Sequence, residues 1–296
     1  MSKLFLINFL LFLIIYNHIS FGLSDEHNKW VKESIEKNIN RLTPNSLNRF
    51  GWSKYSQYGE DGILEEIFKR LEINNGFFVE FGARDGISCS NTRYLLEKGW
   101  HGVLIETDDT SFAQLQKNYE NKPDVLSLKF FVTWKKSDER GKFFEEIREE
   151  FFPNQEIDFL SIDIDGCDFY IFKTLTCRPK VICIENGLKW HPLFIEEVPE
   201  DVAKNNLHQP IQVVLEFARA IGYEPLCSTN NLIFIRRDFY NLFPGMPTDA
   251  ITLWKDAFRA LPNKQYWLDC REFAYPDIKK YERNRFVDEM PINLES

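Results

Sequence analysis

Apolar residues recur in short, nearly continuous runs separated by amphipathic stretches, and the rhythm changes only toward the end of the chain. Ser56-Gln57-Tyr58-Gly59-Glu60-Asp61-Gly62 leads into Ile63, Leu64, Ile67, Phe68 and Leu71, a spacing that predicts a helix with one apolar face. Strands are then predicted over 76–81, 102–106, 127–132, 157–162 and 181–185, with helices over 90–97, 110–119, 142–151 and 169–175 between and after them. Continuous apolar strands alternating with helices imply a parallel sheet covered on both faces. The end differs. A helix over 211–221 is followed by a strand over 223–227, the turn residues Ser228-Thr229-Asn230-Asn231, and a strand over 232–236. So short a link joins only antiparallel neighbours. The predicted fold is α/β, a seven-stranded, mostly parallel sheet ending in an antiparallel hairpin. A charged helix over 25–38 and a turn at Pro44-Asn45-Ser46 precede it, and a helix with Ile251, Trp254, Phe258 and Leu261 on one side follows and packs on the core.

The first apolar run belongs to none of these elements. Lys3 precedes Leu4–Tyr16, which is broken only by Asn8, and a small-x-small site stands at Ser20-Phe21-Gly22. Thirteen helical residues span about 20 Å, short of the ~30 Å hydrocarbon core. The pattern predicts a signal peptide over 1–22, and hence a secreted chain or one in the secretory lumen (the periplasm in a bacterium). No later run approaches a membrane span. The expected organisation is the signal at 1–22, a helical segment at 23–54, the sheet domain at 55–240 and a helical tail at 241–296. Lysine and arginine total 36 against 45 acids, a formal charge of −9 that argues against broad binding to nucleic acid. Six cysteines, at 89, 167, 177, 183, 227 and 270, contain no CxxC and no neighbouring histidine at zinc-ligand spacing.

Ligands in open α/β sheets bind beyond the carboxyl ends of the strands. Three predicted strands deliver acids there. Val79-Glu80-Phe81-Gly82-Ala83-Arg84-Asp85-Gly86 runs from a strand into a glycine turn, where Gly82 and Gly86 permit close backbone approach. G-x-G-x-x-G is absent because position 84 is arginine, which counts against NAD or FAD. Glu106 stands at the tip of the next strand, where a carboxylate can accept both hydroxyls of a ribose. Ile162-Asp163-Ile164-Asp165-Gly166-Cys167-Asp168 places three acids just past a third strand. Asp163 and Asp165 are the candidate proton acceptors, and strand alternation would send them to different sides. Oxygen clusters alone do not specify a divalent ion, so no metal residue is assigned.

These segments resemble class I S-adenosylmethionine-dependent methyltransferases and, within them, the FkbM family. The resemblance rests on Tyr55–Gly62, Glu80–Gly86, Gly102–Glu106, Asp163–Asp168, Pro179–Asn186 and the pieces from Gly222 to Arg237. Asp163-Ile164-Asp165-Gly166-Cys167-Asp168 is similar to the family's D-x-E-G-x-E run, with Asp twice in place of Glu. It covers about 55–240. It implies a Rossmann-like fold, S-adenosyl-L-methionine as cofactor, and O-methylation of a hydroxyl on a sugar or other small metabolite. Gly82 and Gly86 would line the methionine and ribose, Glu80 would orient their loop, Glu106 would hold the ribose hydroxyls, and Arg84 would pair with the cofactor's carboxylate. In this fold Cys89 and Cys167 would follow neighbouring strands, within reach of a disulfide.

Two other readings stand beside this one. Asp163-x-Asp165-Gly166 also resembles the opening motif of haloacid-dehalogenase-type phosphatases, but there it lies on the first core strand, and here three predicted strands precede it. A secreted protein that keeps the fold only for binding is the second, because the cofactor is made in the cytosol. His191 is a further base by residue type, though a surface histidine is the commoner reading.

Overall fold

The computed structural model describes residues 25–261 other than His191 and Asn206. The apolar run at 4–16, His191 as a base, Cys270 and the tail beyond Leu261 fall outside the described residues. Helix α1 (Asp25–Asn38) and two short 3-10 turns lead to α2 (Glu60–Arg70). Five strands alternating with four helices follow: β1 (Phe77–Phe81), α3 (Arg93–Glu97), β2 (His101–Glu106), α4 (Asp109–Tyr119), β3 (Val125–Lys129), α5 (Phe144–Phe151), β4 (Phe159–Ile162), α6 (Asp168–Thr174) and β5 (Val181–Glu185). Helices α7 (Glu200–Ala203) and α8 (Ile211–Ala220) precede the hairpin β6 (Tyr223–Ser228) and β7 (Asn231–Arg236), and α9 (Ala250–Ala260) closes the described chain.

The sheet order is β3-β2-β1-β4-β5-β7-β6. β1 to β5 are parallel, whereas β7 runs antiparallel to both β5 and β6, so the expected seven strands and terminal hairpin are present. Every residue of β1 and β4 is buried, as an interior parallel strand requires, while edge strand β3 buries only Leu128 and exposes Leu126 and Lys129. On one face Trp100 packs on Phe68, which meets Phe159 edge-on, with centroids 4.4 and 5.8 Å apart. Elsewhere Phe172 packs on Phe217 and Phe234. Chain order reverses between β1 and β4, where β2 lies on one side of β1 and β4 on the other. In open α/β sheets such a switch point is where a ligand crevice is expected, beyond the carboxyl ends of the strands.

Several element boundaries differ from expectation for local reasons. The helix expected from Ser90 begins at Arg93 because Ser90, Asn91 and Thr92 all donate to the Glu80 carboxylate. The third strand lies at Val125–Lys129 rather than 127–132, and Val132 instead makes an isolated bridge to Lys142. The final helix turns Leu253, Trp254, Ala257 and Ala260 inward and leaves Ile251 36% exposed, so Ile251 does not belong to its buried face.

Both flanking segments close on each other. Val31, Ile35 and Leu42 form one apolar cluster with Ala260 and Leu261. Thr43 N donates to both oxygens of the buried Asp256 carboxylate, at 3.1 and 3.3 Å. Among the described residues no helix is long and apolar enough to cross a membrane.

Candidate functional site

The turn after β1 is shaped from inside the protein. Gly82 has φ +65°, and a Cβ there would lie 1.7 Å from the carbonyl oxygen of Asp163, so only glycine lets the ends of β1 and β4 meet. Gly86, at φ +74°, packs beneath Leu115 and Tyr119 of α4, and the Tyr119 hydroxyl donates to its carbonyl. The Gly86 position is therefore spoken for by α4 rather than opened to a ligand. Arg84 also adopts positive φ, +50°, and its N–H donates to Glu106 Oε2 at 2.7 Å.

Glu106 sits at the tip of β2, as expected, and is buried. Its Oε1 accepts from the N–H groups of Thr107 and Asp108, both at 2.7 Å. Three of about four lone-pair directions are thus used by main chain, leaving one on Oε2 for a hydroxyl. Glu80 differs from expectation. Its carboxylate accepts from Ser90 Oγ (2.8 Å), Asn91 N (2.8 Å) and Thr92 Oγ1 (2.7 Å), so it ties down the segment before α3, not the Gly82–Gly86 loop. Burial raises its pKa against the lowering effect of those bonds.

β4 ends at Ile162, so the alternation expected to separate Asp163 from Asp165 is lost. Asp165 takes φ +60° and is exposed, Asp163 is half-buried, and their carboxylates come together with that of Glu185. One oxygen from each lies within 4.8 Å of the other two. Glu185 follows from register, since Ile162, the last residue of β4, pairs with Ile184, the residue before Glu185 on β5. Burial and then the neighbouring acids hold Asp163 and Glu185 well above the usual carboxylate range. Asp168 is buried, accepting from Ile164 N at 2.7 Å and Gly166 N at 2.9 Å. Its Oδ2 lies 3.4 Å from Nδ1 of the buried His208, whose Nε2 lies 3.6 Å from Glu185 Oε2.

Glu185 and His208 were not singled out from sequence. Applying the strand-tip rule to the fifth strand would have found Glu185. His208 lies in the irregular Leu207-His208-Gln209-Pro210 stretch and gave no signal. Cys89 and Cys167 are free, and burial pushes their thiols up to about 12 and about 11, so neither is a nucleophile at neutral pH. All five described cysteines are free.

The Ser56–Gly62 motif does structural work beside the crevice. Glu60 Oε1 accepts from Thr229 Oγ1 and Asn231 Nδ2 at 2.5 and 2.9 Å, joining α2 to the β6–β7 turn. Asp61 Oδ2 accepts from the N–H groups of Lys54, Tyr55 and Ser56 at 2.6, 2.7 and 3.1 Å, whereas its buried Oδ1 has no hydrogen-bond partner. Burial pushes Asp61 up to about 6 from an ordinary value of 3.8. A raised carboxyl pKa favours the folded state most when the group is protonated. Its penalty is absent below about pH 4 and complete above about pH 6, amounting to about 3 kcal/mol. Asp61→Asn is expected to remove that fall: urea melts at pH 4 and pH 7 should show a smaller loss of stability for the variant than for the parent. Equal losses would show that Asp61 stays charged throughout.

No family model matches the chain, and no curated protein matches it. Solved structures do. The SAH-bound Podospora anserina methyltransferase PaMTH1 is 14% identical, with 75% of this chain and 93% of that one covered and a TM-score of 0.39. An O-methyltransferase from Bacillus cereus in complex with SAH is 17% identical, covering 70% and 89% at a TM-score of 0.37. At such values the sheet order, rather than these likenesses, carries the assignment. The fold is that of the class I methyltransferases. The narrower FkbM resemblance is corrected: no family model matches the chain, and its sheet order is that of the general class I fold, not the distinct FkbM one. Its apparent motif residues have local explanations, because Asp61 and Glu80 brace main-chain turns.

Proposed function

We propose that the protein is an S-adenosylmethionine-dependent O-methyltransferase acting on a hydroxyl of a sugar or other small metabolite in the secretory pathway. The observation that carries this reading is the meeting, at the switch point, of the Glu106-braced turn and the Asp163–Glu185 carboxyls. The remaining lone pair of Glu106 fits one ribose hydroxyl, and the turn between Gly82 and Gly86 forms the wall beside it. When bound, the cofactor supplies an electrophilic methyl group on a sulfonium. The chain's own task is then alignment of the acceptor oxygen with that methyl, which accounts for much of the rate in an in-line displacement. A hydroxyl acceptor must also lose its proton. Asp163 and Glu185 face each other, and their raised pKa values suit one of them to receive it. Secretion rests on the apolar run at 4–16.

The competing reading, a binding protein that keeps the fold, draws support from Glu80 and Glu106, whose oxygens are largely engaged by the chain's own donors. Calorimetric titration with S-adenosylmethionine and its demethylated product separates the two. Binding is expected for both, and Glu106→Ala should weaken it by about 1–3 kcal/mol, the scale of a lost hydrogen bond to a charged group. A folded protein that binds neither compound would end the enzyme reading. Unchanged affinity in the variant would place the ribose elsewhere.

A further inference from the structure

Glu185 is the common member of two overlapping groups. With Asp168 and His208 it offers one ligand atom each within 4.8 Å, and with Asp163 and Asp165 it does so again. The first group is mixed in chemistry and deeply placed: the side chains of His208 and Asp168 are 2% and 1% exposed. The His208 ring lies between the two acids, Nδ1 3.4 Å from Asp168 Oδ2 and Nε2 3.6 Å from Glu185 Oε2. A separate observation points to a missing ligand. Glu185 Oε2 is buried and has no hydrogen-bond partner, an arrangement that costs stability for a carboxylate oxygen. The second group supplies a way in, since Asp165 is exposed and Asp163 half-buried at the mouth of the same cluster.

We propose that Glu185 and His208, with Asp168, form a binding site for a divalent transition-metal ion. His208 would present Nε2 toward the ion beside Glu185 Oε2, while Asp168 Oδ2 faces Nδ1 and fixes the ring. A carboxylate behind the second nitrogen of a metal-bound imidazole is the usual support for that ligand. Asp168 is itself held by two backbone N–H groups, so the imidazole rests against a fixed oxygen. Imidazole nitrogen combined with carboxylate oxygen favours manganese, iron or zinc over magnesium or calcium. The inference stands on this geometry and not on methyl transfer, and it is tested without the cofactor.

The full chain, stripped with EDTA and dialysed, is titrated with Mn2+ alone while electron paramagnetic resonance follows the free ion. Manganese is preferred to zinc as the probe because the five free cysteines among the described residues would compete for zinc. One ion per chain is expected in the wild-type protein, with affinity weakened at least tenfold by Glu185→Gln and by His208→Gln, and competition by Mg2+ only at much higher concentration. Asp109→Asn, which removes an exposed acid on α4, should leave binding unchanged. Absence of stoichiometric binding by the wild-type chain up to millimolar Mn2+ would identify the cluster as an internal histidine–carboxylate contact and overturn the proposal, whatever the variants do. Binding that survives His208→Gln intact would also overturn it.

Discussion

Gly82→Ala is expected to cost about 3 kcal/mol or more in a urea melt, and to leave little folded protein if the parent is of ordinary stability. Two effects add at this position. The backbone has φ +65°, which costs an alanine roughly 1 kcal/mol or more, and the new methyl carbon would stand 1.7 Å from the Asp163 carbonyl oxygen. That oxygen belongs to main chain at the end of β4, so relief requires β1 and β4 to separate at their carboxyl ends. Gly99→Ala is the natural control. Gly99 has φ +90° but nothing within 4 Å of the built Cβ, so it reports backbone strain with no clash. A loss at Gly82 no greater than at Gly99 would mean that the strand ends part easily and that the crevice is soft.

Glu80→Ala should be about as damaging, by a different route. Its two oxygens accept from two hydroxyls and one main-chain N–H, all in buried residues. Removing the carboxylate leaves Ser90, Asn91 and Thr92 without this acceptor, and buried donors left unpaired cost about 1–3 kcal/mol each before relaxation. A loss of about 3–5 kcal/mol is expected, with the start of α3 fraying first. Hydrogen exchange should show early opening over 90–97. Glu80→Gln keeps one acceptor oxygen and should recover part of the loss. A variant as stable as the parent would show that water replaces the carboxylate in that layer.

Much of this fold could be read from the chain because its strands are short and apolar throughout. Val181–Glu185 has the expected bounds, and the hairpin follows from the few residues between Ser228 and Asn231. Boundaries moved where side chains compete with backbone. Ser90 and Thr92 look like the start of a helix but spend their hydroxyls on Glu80. The site was less legible. Glu106, Asp163 and Asp165 are found by asking which acids end strands, yet a carboxylate at a strand tip can bind a ligand or bind its own loop, and residue type does not distinguish the two. Glu80 took the second role entirely, and Glu106 took most of it. Asp163 and Asp165 were expected to diverge because period-two alternation was carried one step past the end of β4. His208 reaches the site from 40 residues beyond Asp168, through a stretch with no periodicity to place it.

The closure of α1 onto α9 bears on how the molecule comes to be made. Thr43 and Asp256 are separated by 213 residues, and Ala260 and Leu261 complete a cluster with Val31, Ile35 and Leu42 against which Tyr58 also packs. During synthesis Leu42 and Tyr58 can cover part of the first helix early, but the part that Ala260 and Leu261 cover stays open until the whole sheet has been made. So long a loop makes that last docking step slow and leaves the early segment in need of a chaperone or other transient cover.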